Sequence, residues 1–563
     1  MRRSNLSELA STAWPWLLIL AAAAALRFIG IGYGLPAVFN ADEPHHVNVA
    51  VSFGSGTLDP GIFKYPTLWM YCLFAAFGAL FAGWSGLGLL HSVREFGALF
   101  VWHPEVFYLT ARLLAAALSL AGLYPLIRCG LALGRTNALW AAGLLAVSPT
   151  LIVSAHGAKP DSLMFFLAAW AWWLALRYVQ EGRRRHLVLC GAAVGFCVAT
   201  QYVAAPLALL VLSAWLARRL AGPERPRSAD VLLGLGAVPA AFFIGSPFIL
   251  LDWSSFLRDI RDVHAMASVG TPAPWTVGRN VLEFSGPWWA GGTLILAGAG
   301  LLAAAARPLA VLFLIPLAGQ IAFLAAFPDG AWSRFLLGVF PAAALLAAAA
   351  VEHAAARARG AARPAFGWVL AALLAAVLLP GARQSWAVVA PLRRPDTRNI
   401  AAAWIAANLT PGTRILTFNE HASPPLRLSL DQVRRLIEQT REAGHPRRRY
   451  YELMAESHPG GGFEVFRILQ DPAVLSAGPR HVAWSAAGRS VLDVSGGLQA
   501  VRGAGIALVV FTSYGSNEEG FRALRPFLDG LETQASLLRE FAPEPGATVG
   551  PVIRIYRIRE SKR

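Results

Sequence analysis

Only three of the 49 basic side chains are lysines, and two of them, Lys64 and Lys159, stand beside acidic or phenolic groups. Lys64 opens Lys64-Tyr65-Pro66, and Lys159 sits within His156-Gly-Ala-Lys159-Pro-Asp161. A denser group precedes both, Asn40-Ala-Asp42-Glu43-Pro-His45-His46, and Arg334 follows far downstream, just after Asp329. These residue types suit one kind of chemistry. A carboxylate accepts the proton of an incoming hydroxyl, while Lys and Arg offset charge growing on a phosphate leaving group. A compact ammonium fits beside a phosphate where the planar fork of Arg does not. Blander readings stand next to these. Asp42-Glu43 also reads as a solvated span boundary, and Lys159 and Arg334 as interfacial side chains whose charges reach the headgroups. His45 and His46 beside carboxylates suggest zinc, but adjacent histidines lack the i, i+4 spacing that puts two ligands on one helix face.

The elements that must position these residues are membrane spans. The chain is 56% apolar and 15% charged with a mean hydropathy of +0.50, too apolar for a soluble enzyme of 563 residues. Runs long enough to cross a bilayer recur from Trp14 to residue 383 and then stop. The net charge of +16 comes largely from Arg clusters between apolar runs, which is the positive-inside pattern and not a nucleic-acid surface. Arg2-Arg3, Arg128 to Arg135, Arg183 to Arg185, Arg218 to Arg227, Arg307 and Arg357 to Arg363 therefore mark the inner side. The N-terminus reads as an uncleaved first span.

Parity between those clusters predicts a span over 13–32, a return over 108–128, and an external loop over about 34–106 with an interfacial helix at 66–80. Residues 187–217 should form a hairpin with Gln201 at its outer turn. Further spans are expected at 138–156, 162–179, 229–249, 288–305, 309–327, 334–351 and 366–383, eleven crossings in all. The fold class is thus an α-helical polytopic membrane domain, residues 1–383, followed by an extracytoplasmic α/β domain, residues 384–563. In the latter, helix-then-strand is expected over 398–418, strands over 505–513 and 552–558, and a helix over 518–529. The four cysteines lie in or beside apolar segments, so no disulfide framework is implied.

Segments spread along nearly the whole chain carry a family likeness. They are Asn40-Ala-Asp42-Glu43-Pro-His45, Lys64-Tyr65-Pro-Thr, Ala111-Arg112-Leu-Leu, Ala158-Lys-Pro-Asp161-Ser, Gly245-Ser-Pro-Phe-Ile-Leu-Leu-Asp252, Arg334-Phe-Leu-Leu-Gly-Val-Phe-Pro341 and Asp396-Thr-Arg-Asn-Ile-Ala-Ala-Ala-Trp404-Ile. In order and spacing they resemble the GT-C membrane glycosyltransferases, nearest the protein O-mannosyltransferase and aminoarabinose-transferase-like family. The resemblance implies a donor sugar on a polyprenyl monophosphate, and a protein, lipid or glycan acceptor. It makes Asp42 the general base with Glu43 beside it, Lys64 the holder of the donor phosphate, Arg334 a second cation and Asp161 the second acidic motif. Tyr65, Arg112, His156, Lys159, Gln201 and Tyr202 complete the substrate-binding set. The chain departs from the family at Gln201-Tyr202, where Lys-Tyr is common; an amide hydrogen-bonds a phosphate without neutralising it. No metal or other cofactor is required when a monophosphate leaves between Lys64 and Arg334, and a single displacement inverts the anomeric carbon. A bacterial inner membrane with a periplasmic active site is expected. A lipid or solute transporter or flippase is the rival, but it would place polar breaks at the midplane and repeat its halves. A non-catalytic membrane anchor leaves the many spans unexplained.

Overall fold

A computed structural model describes the chain except residues 1–3, 223–224, 269–274, 305–307, 328–332, 361–363, 419, 470–482, 484–485, 515–523 and 560–563. Asp329, Arg307 and part of the helix expected at 518–529 lie outside the described residues. Contacts divide the chain into two compact units. The first holds residues 1–31, 45–78 and 109–390; the second holds 32–44, 79–108 and 391–563.

The first unit is helical, and apolar helices lie where the sequence puts spans: Ser4–Phe28, Pro104–Ala121 running on into Leu123–Leu133, Asp161–Glu181, Ser228–Gly245, Pro287–Ala304, Leu309–Ala325, Phe340–Gly360 and Pro364–Val389. The chain is a multi-pass membrane protein. Among the described residues six helices are long and apolar enough to cross a bilayer, seven if one bent pair counts as a span, so the eleven expected crossings are not all of that kind. Leu68–Gly86, expected as an interfacial helix over 66–80, is one of the six by length and composition. The hairpin consists of Arg184–Val198 and Tyr202–Ala221, with Gln201 at its turn. Gly191 and Gly195 on one arm face the carbonyls of Gly234 and Val238 so closely that a Cβ at either would collide with them. Small residues let these membrane helices pack backbone to backbone.

Two expectations change. The span expected at 138–156 is broken into Arg135–Ala146 and Pro149–Ala155, bent by 58°. Pro149 causes the break, because its ring lacks an N–H and crowds the carbonyl four residues back. Arg334 does not open the span expected at 334–351; it lies in a short 3₁₀ turn, Ser333–Leu336, and the helix begins at Phe340. Two helices absent from the expected set, Trp253–Ala267 and Trp275–Ser285, lie between Ser228–Gly245 and Pro287–Ala304.

The second unit is built on a six-stranded sheet of β1 (Arg414–Thr417), β2 (Glu464–Ile468), β3 (Val491–Leu492), β4 (Leu508–Thr512), β5 (Ala535–Phe541) and β6 (Ile553–Ile558). The strand order is β3-β2-β1-β4-β6-β5; the first four are parallel, and β6 runs against them, pairing antiparallel with both β4 and β5. Alternation along each strand feeds two cores. Ile415, Leu508, Val510, Ile553 and Ile555 pack with Ala401 and Ile405 of helix Thr397–Asn408, while Leu416, Val509 and Tyr556 pack with Val501, Phe527 and Leu531 on the other face. The α/β expectation holds, with β2, β3 and β5 added to it. The helix expected at 518–529 is described over Arg525–Gln534.

This unit also takes in parts of the first loop, which the sequence assigns to the membrane domain. The reason is helix Val93–Trp102, whose Val101 is buried with Val433, Leu436, Tyr451 and Met454. The Trp102 indole donates to Ser457 Oγ at 2.8 Å, and Arg94 pairs with Glu456. That ion pair is exposed and contributes little; the apolar contact is what holds the helix.

Candidate active site

In the first unit the segment around Lys64 and Tyr65 is clamped from four directions. The Phe63 N–H donates to Asp259 Oδ2 at 2.6 Å, and its carbonyl accepts from the Tyr202 hydroxyl at 2.9 Å. The Thr67 N–H donates to Ser246 Oγ at 3.0 Å and the Leu68 N–H to the Ala199 carbonyl at 3.1 Å. The Trp69 indole donates to the Ala158 carbonyl at 3.2 Å. Lys64 is held through the bonds of its neighbours, not by its charge: it is half-buried and, among the described residues, has no ion-pair partner. Ser246 lies within Gly245–Asp252, and Asp259 lies outside every segment that carries the family likeness. Both act on backbone amides, and such a role leaves no spacing signal.

Tyr65 packs against two imidazoles, its ring centroid 4.9 Å from that of His45 and 4.8 Å from that of His46. His46 is buried, and its Nδ1 has no hydrogen-bond partner among the described residues. Burial first, then the neighbouring charges of His45, Lys159 and Arg334, hold its pKa well below the ordinary imidazole value. Lys159 and Arg334, far apart in sequence, thus act on one residue of the helix that follows Asp42. A native imidazole that refuses a proton makes stability depend on pH. The unfolded imidazole titrates near 6.5, so stability that is whole above that value is lost as pH falls below it. Thermal unfolding from pH 7.5 to 5.5 should show a steeper loss in the wild type than in His46→Asn, which cannot titrate; parallel losses would mean that His46 is not the group responsible.

Asp161 opens helix Asp161–Glu181, is buried, and accepts from Gln201 Nε2 at 3.0 Å. The departure at Gln201 therefore has a physical account: the neutral amide satisfies the second acidic motif. Gln201 Oε1 is buried and has no partner among the described residues. His156 turns both ring nitrogens to carbonyls, Ile152 at 2.8 Å and Ile29 at 2.9 Å, and Arg112 is buried and donates to the Ile31 carbonyl at 3.1 Å. These two side chains fix the end of the first helix, which makes them positioning residues. Lys64, Tyr65, Lys159, Asp161, Gln201, Tyr202 and Arg334 all lie in the first unit.

Asp42 and Glu43 belong to the second unit. The Asn40 side chain accepts the Asp42 N–H at 3.1 Å and the Asn40 carbonyl accepts the Glu43 N–H at 3.3 Å, a turn that starts helix Glu43–Ser52. The two carboxylates differ in access: Glu43 is fully buried, while Asp42 is only half-buried. Among the described residues no three His, Cys, Asp or Glu side chains cluster so as to hold a metal ion.

Residues 95–250 match the model of the dolichyl-phosphate-mannose-protein mannosyltransferase family. No curated protein sequence matches the chain. The structure is similar to that of ArnT from Cupriavidus metallidurans in the apo state, with a TM-score of 0.54, 16% identity, and 97% of this chain and 98% of that one covered. ArnT bound to undecaprenyl phosphate gives a TM-score of 0.53 at the same identity and coverage. This chain has the GT-C fold. The apo oligosaccharyltransferase of Archaeoglobus fulgidus is similar at a TM-score of 0.50 and 12% identity, covering 96% of this chain and 74% of that one. In this chain apolar helices come first and the sheet lies toward the C-terminus, the order expected from the sequence.

Proposed function

We propose that this GT-C chain is a membrane glycosyltransferase that moves a sugar from a polyprenyl monophosphate to an acceptor hydroxyl or phosphate at the outer face of a bacterial inner membrane, with inversion at the anomeric carbon. The observation that carries this is the clamp on residues 63–69, which holds a lysine that has no ion-pair partner among the described residues. Lys64 binds the donor phosphate, and Arg334 and Lys159 add positive charge that grows in value as the phosphate leaves. Asp42 accepts the acceptor's proton. The match to a dolichyl-phosphate-mannose mannosyltransferase family and the likeness to an ArnT that binds undecaprenyl phosphate support a lipid-linked donor. Mass spectrometry of glycoconjugates from cells with and without the protein, followed by transfer of radiolabelled sugar in proteoliposomes, tests the reading. Flipping of the lipid with no transfer would replace it.

Lys64→Ala should weaken donor binding at least tenfold, about 1.4 kcal/mol or more, because the clamp uses the backbone and survives the change. Lys64→Arg should restore only part of the affinity, since the fork does not occupy the volume of an ammonium. Titration of the purified protein with undecaprenyl phosphate measures both; equal affinity in wild type and Lys64→Ala would remove Lys64 from the site.

A further inference from the structure

A cavity of about 350 Å³ lies within the second unit, its lining including Tyr33, Phe39, Asn40, Arg398, His421 and Tyr514. That volume is at the small end of the roughly 300–1,000 Å³ of ligand clefts. Its walls are ordered by specific contacts. Gly34 has φ +73°, and a Cβ there would come 2.7 Å from the Phe39 ring, so only glycine lets that ring sit where it does. His421 Nδ1 bonds the Val38 carbonyl at 3.0 Å. Arg398 lies 3.4 Å from the Phe39 centroid and 5.2 Å from that of Tyr514.

The guanidinium is already answered. Arg398 makes a two-pronged pair with Asp396, Nε to Oδ1 at 2.8 Å and Nη2 to Oδ2 at 2.7 Å, and Nη1 donates to the His421 carbonyl at 2.6 Å. A phosphate would find this charge spent on a buried carboxylate. What remains is the two tyrosine rings, Phe39 with one face under the guanidinium, an amide and an imidazole, a lining for a neutral ligand with one apolar face and a polar rim. A pyranose is such a ligand: its axial C–H groups meet the negative faces of aromatic rings, and its hydroxyls meet the amide and phenol groups. Asn40 also connects the cavity to chemistry, because its side chain receives the backbone N–H of Asp42.

We propose that this cavity is the acceptor subsite and that it takes a neutral sugar ring, which makes the acceptor a glycan or the glycan part of a larger molecule. The inference rests on the transferase reading, since it takes Asp42 as the base that the bound ring must reach. The test uses the full-length protein in lipid nanodiscs free of glycoside detergents, with a panel of hexose and N-acetylhexosamine disaccharides as probes and saturation-transfer NMR as readout. At least one disaccharide should bind through its ring C–H protons. Tyr514→Ala should weaken that binding tenfold or more, Tyr514→Phe should keep most of it, and Asp42→Asn should leave it unchanged. Tyr33→Ala provides a second wall variant if Tyr514→Ala does not fold. Absence of binding across the panel, binding indifferent to both wall variants, or binding of a Ser/Thr peptide or inorganic phosphate in place of sugar would overturn the proposal. Sugar binding that survives while Asp42→Asn retains full transfer would instead count against the base and spare the subsite.

Discussion

Asp42→Asn is expected to lower sugar transfer by roughly a hundredfold or more while leaving the donor bound, the loss that removing a general base usually brings. The substitution keeps side-chain shape, and the turn at Asn40 holds residue 42 through its backbone N–H, so the local fold does not depend on the carboxylate. Glu43 is the competitor. It is wholly buried at the first turn of helix Glu43–Ser52, where a negative charge favours the helix N-terminus. An acceptor hydroxyl reaches a half-buried carboxylate more readily than a fully buried one, so Glu43→Gln should cost stability before it costs chemistry. Single-turnover transfer with saturating lipid-linked donor separates the two. Near wild-type transfer by Asp42→Asn with loss in Glu43→Gln would make Glu43 the base, and activity in both would end the catalytic reading of this loop.

Much of this arrangement was legible because membrane insertion writes itself into composition. Runs of Leu and Ala between Arg clusters point to the helices, and the short apolar run within 398–418 points to a strand, Arg414–Thr417, whose Ile415 and Leu416 enter two different cores. The polar groups were legible as types. Asp42, Lys64, Lys159 and Arg334 stood out against an apolar background, and the effect of Lys159 and Arg334 on His46 ties two of them to one place. What the sequence hid is whatever depends on a partner. Helix Val93–Trp102 looks like part of a loop until Val433, Leu436 and Met454 cover it, so its membership of the second unit had no local signal. Ser246 and Asp259 bind amides and carry no motif of their own. The rings around Arg398 come from residues 39 and 514, a separation that no spacing rule reaches.

Pro149 and Arg27 belong together in the same way, and the second large effect is expected there: Arg27→Leu should destabilise the membrane unit by about 3 kcal/mol or more. The break at Pro149 leaves the Leu145 carbonyl with no N–H four residues on, because that residue is the proline itself. Arg27, fully buried in the first helix, supplies what is missing. Its Nη2 donates to Leu145 O at 3.0 Å, its Nη1 to Ala146 O at 3.1 Å and its Nε to Ser119 Oγ at 2.9 Å, while Ser385 serves Val147 O at 2.9 Å. A guanidinium at the C-terminal end of a helix also meets the negative end of its dipole. In a leucine variant the Ala146 carbonyl and the Ser119 hydroxyl lose the guanidinium, and the Leu145 carbonyl keeps only the long contact from the Ser148 N–H at 3.5 Å and the bent one from Val147, a poor exchange in a buried site. Arg27→Lys keeps the charge but one ammonium cannot span three acceptors, so it should recover part of the stability and not all of it. Thermal unfolding followed by size-exclusion fluorescence in detergent ranks the three proteins. A leucine variant as stable as the wild type would mean that the bend at Pro149 is held by packing, and that the guanidinium is incidental to it.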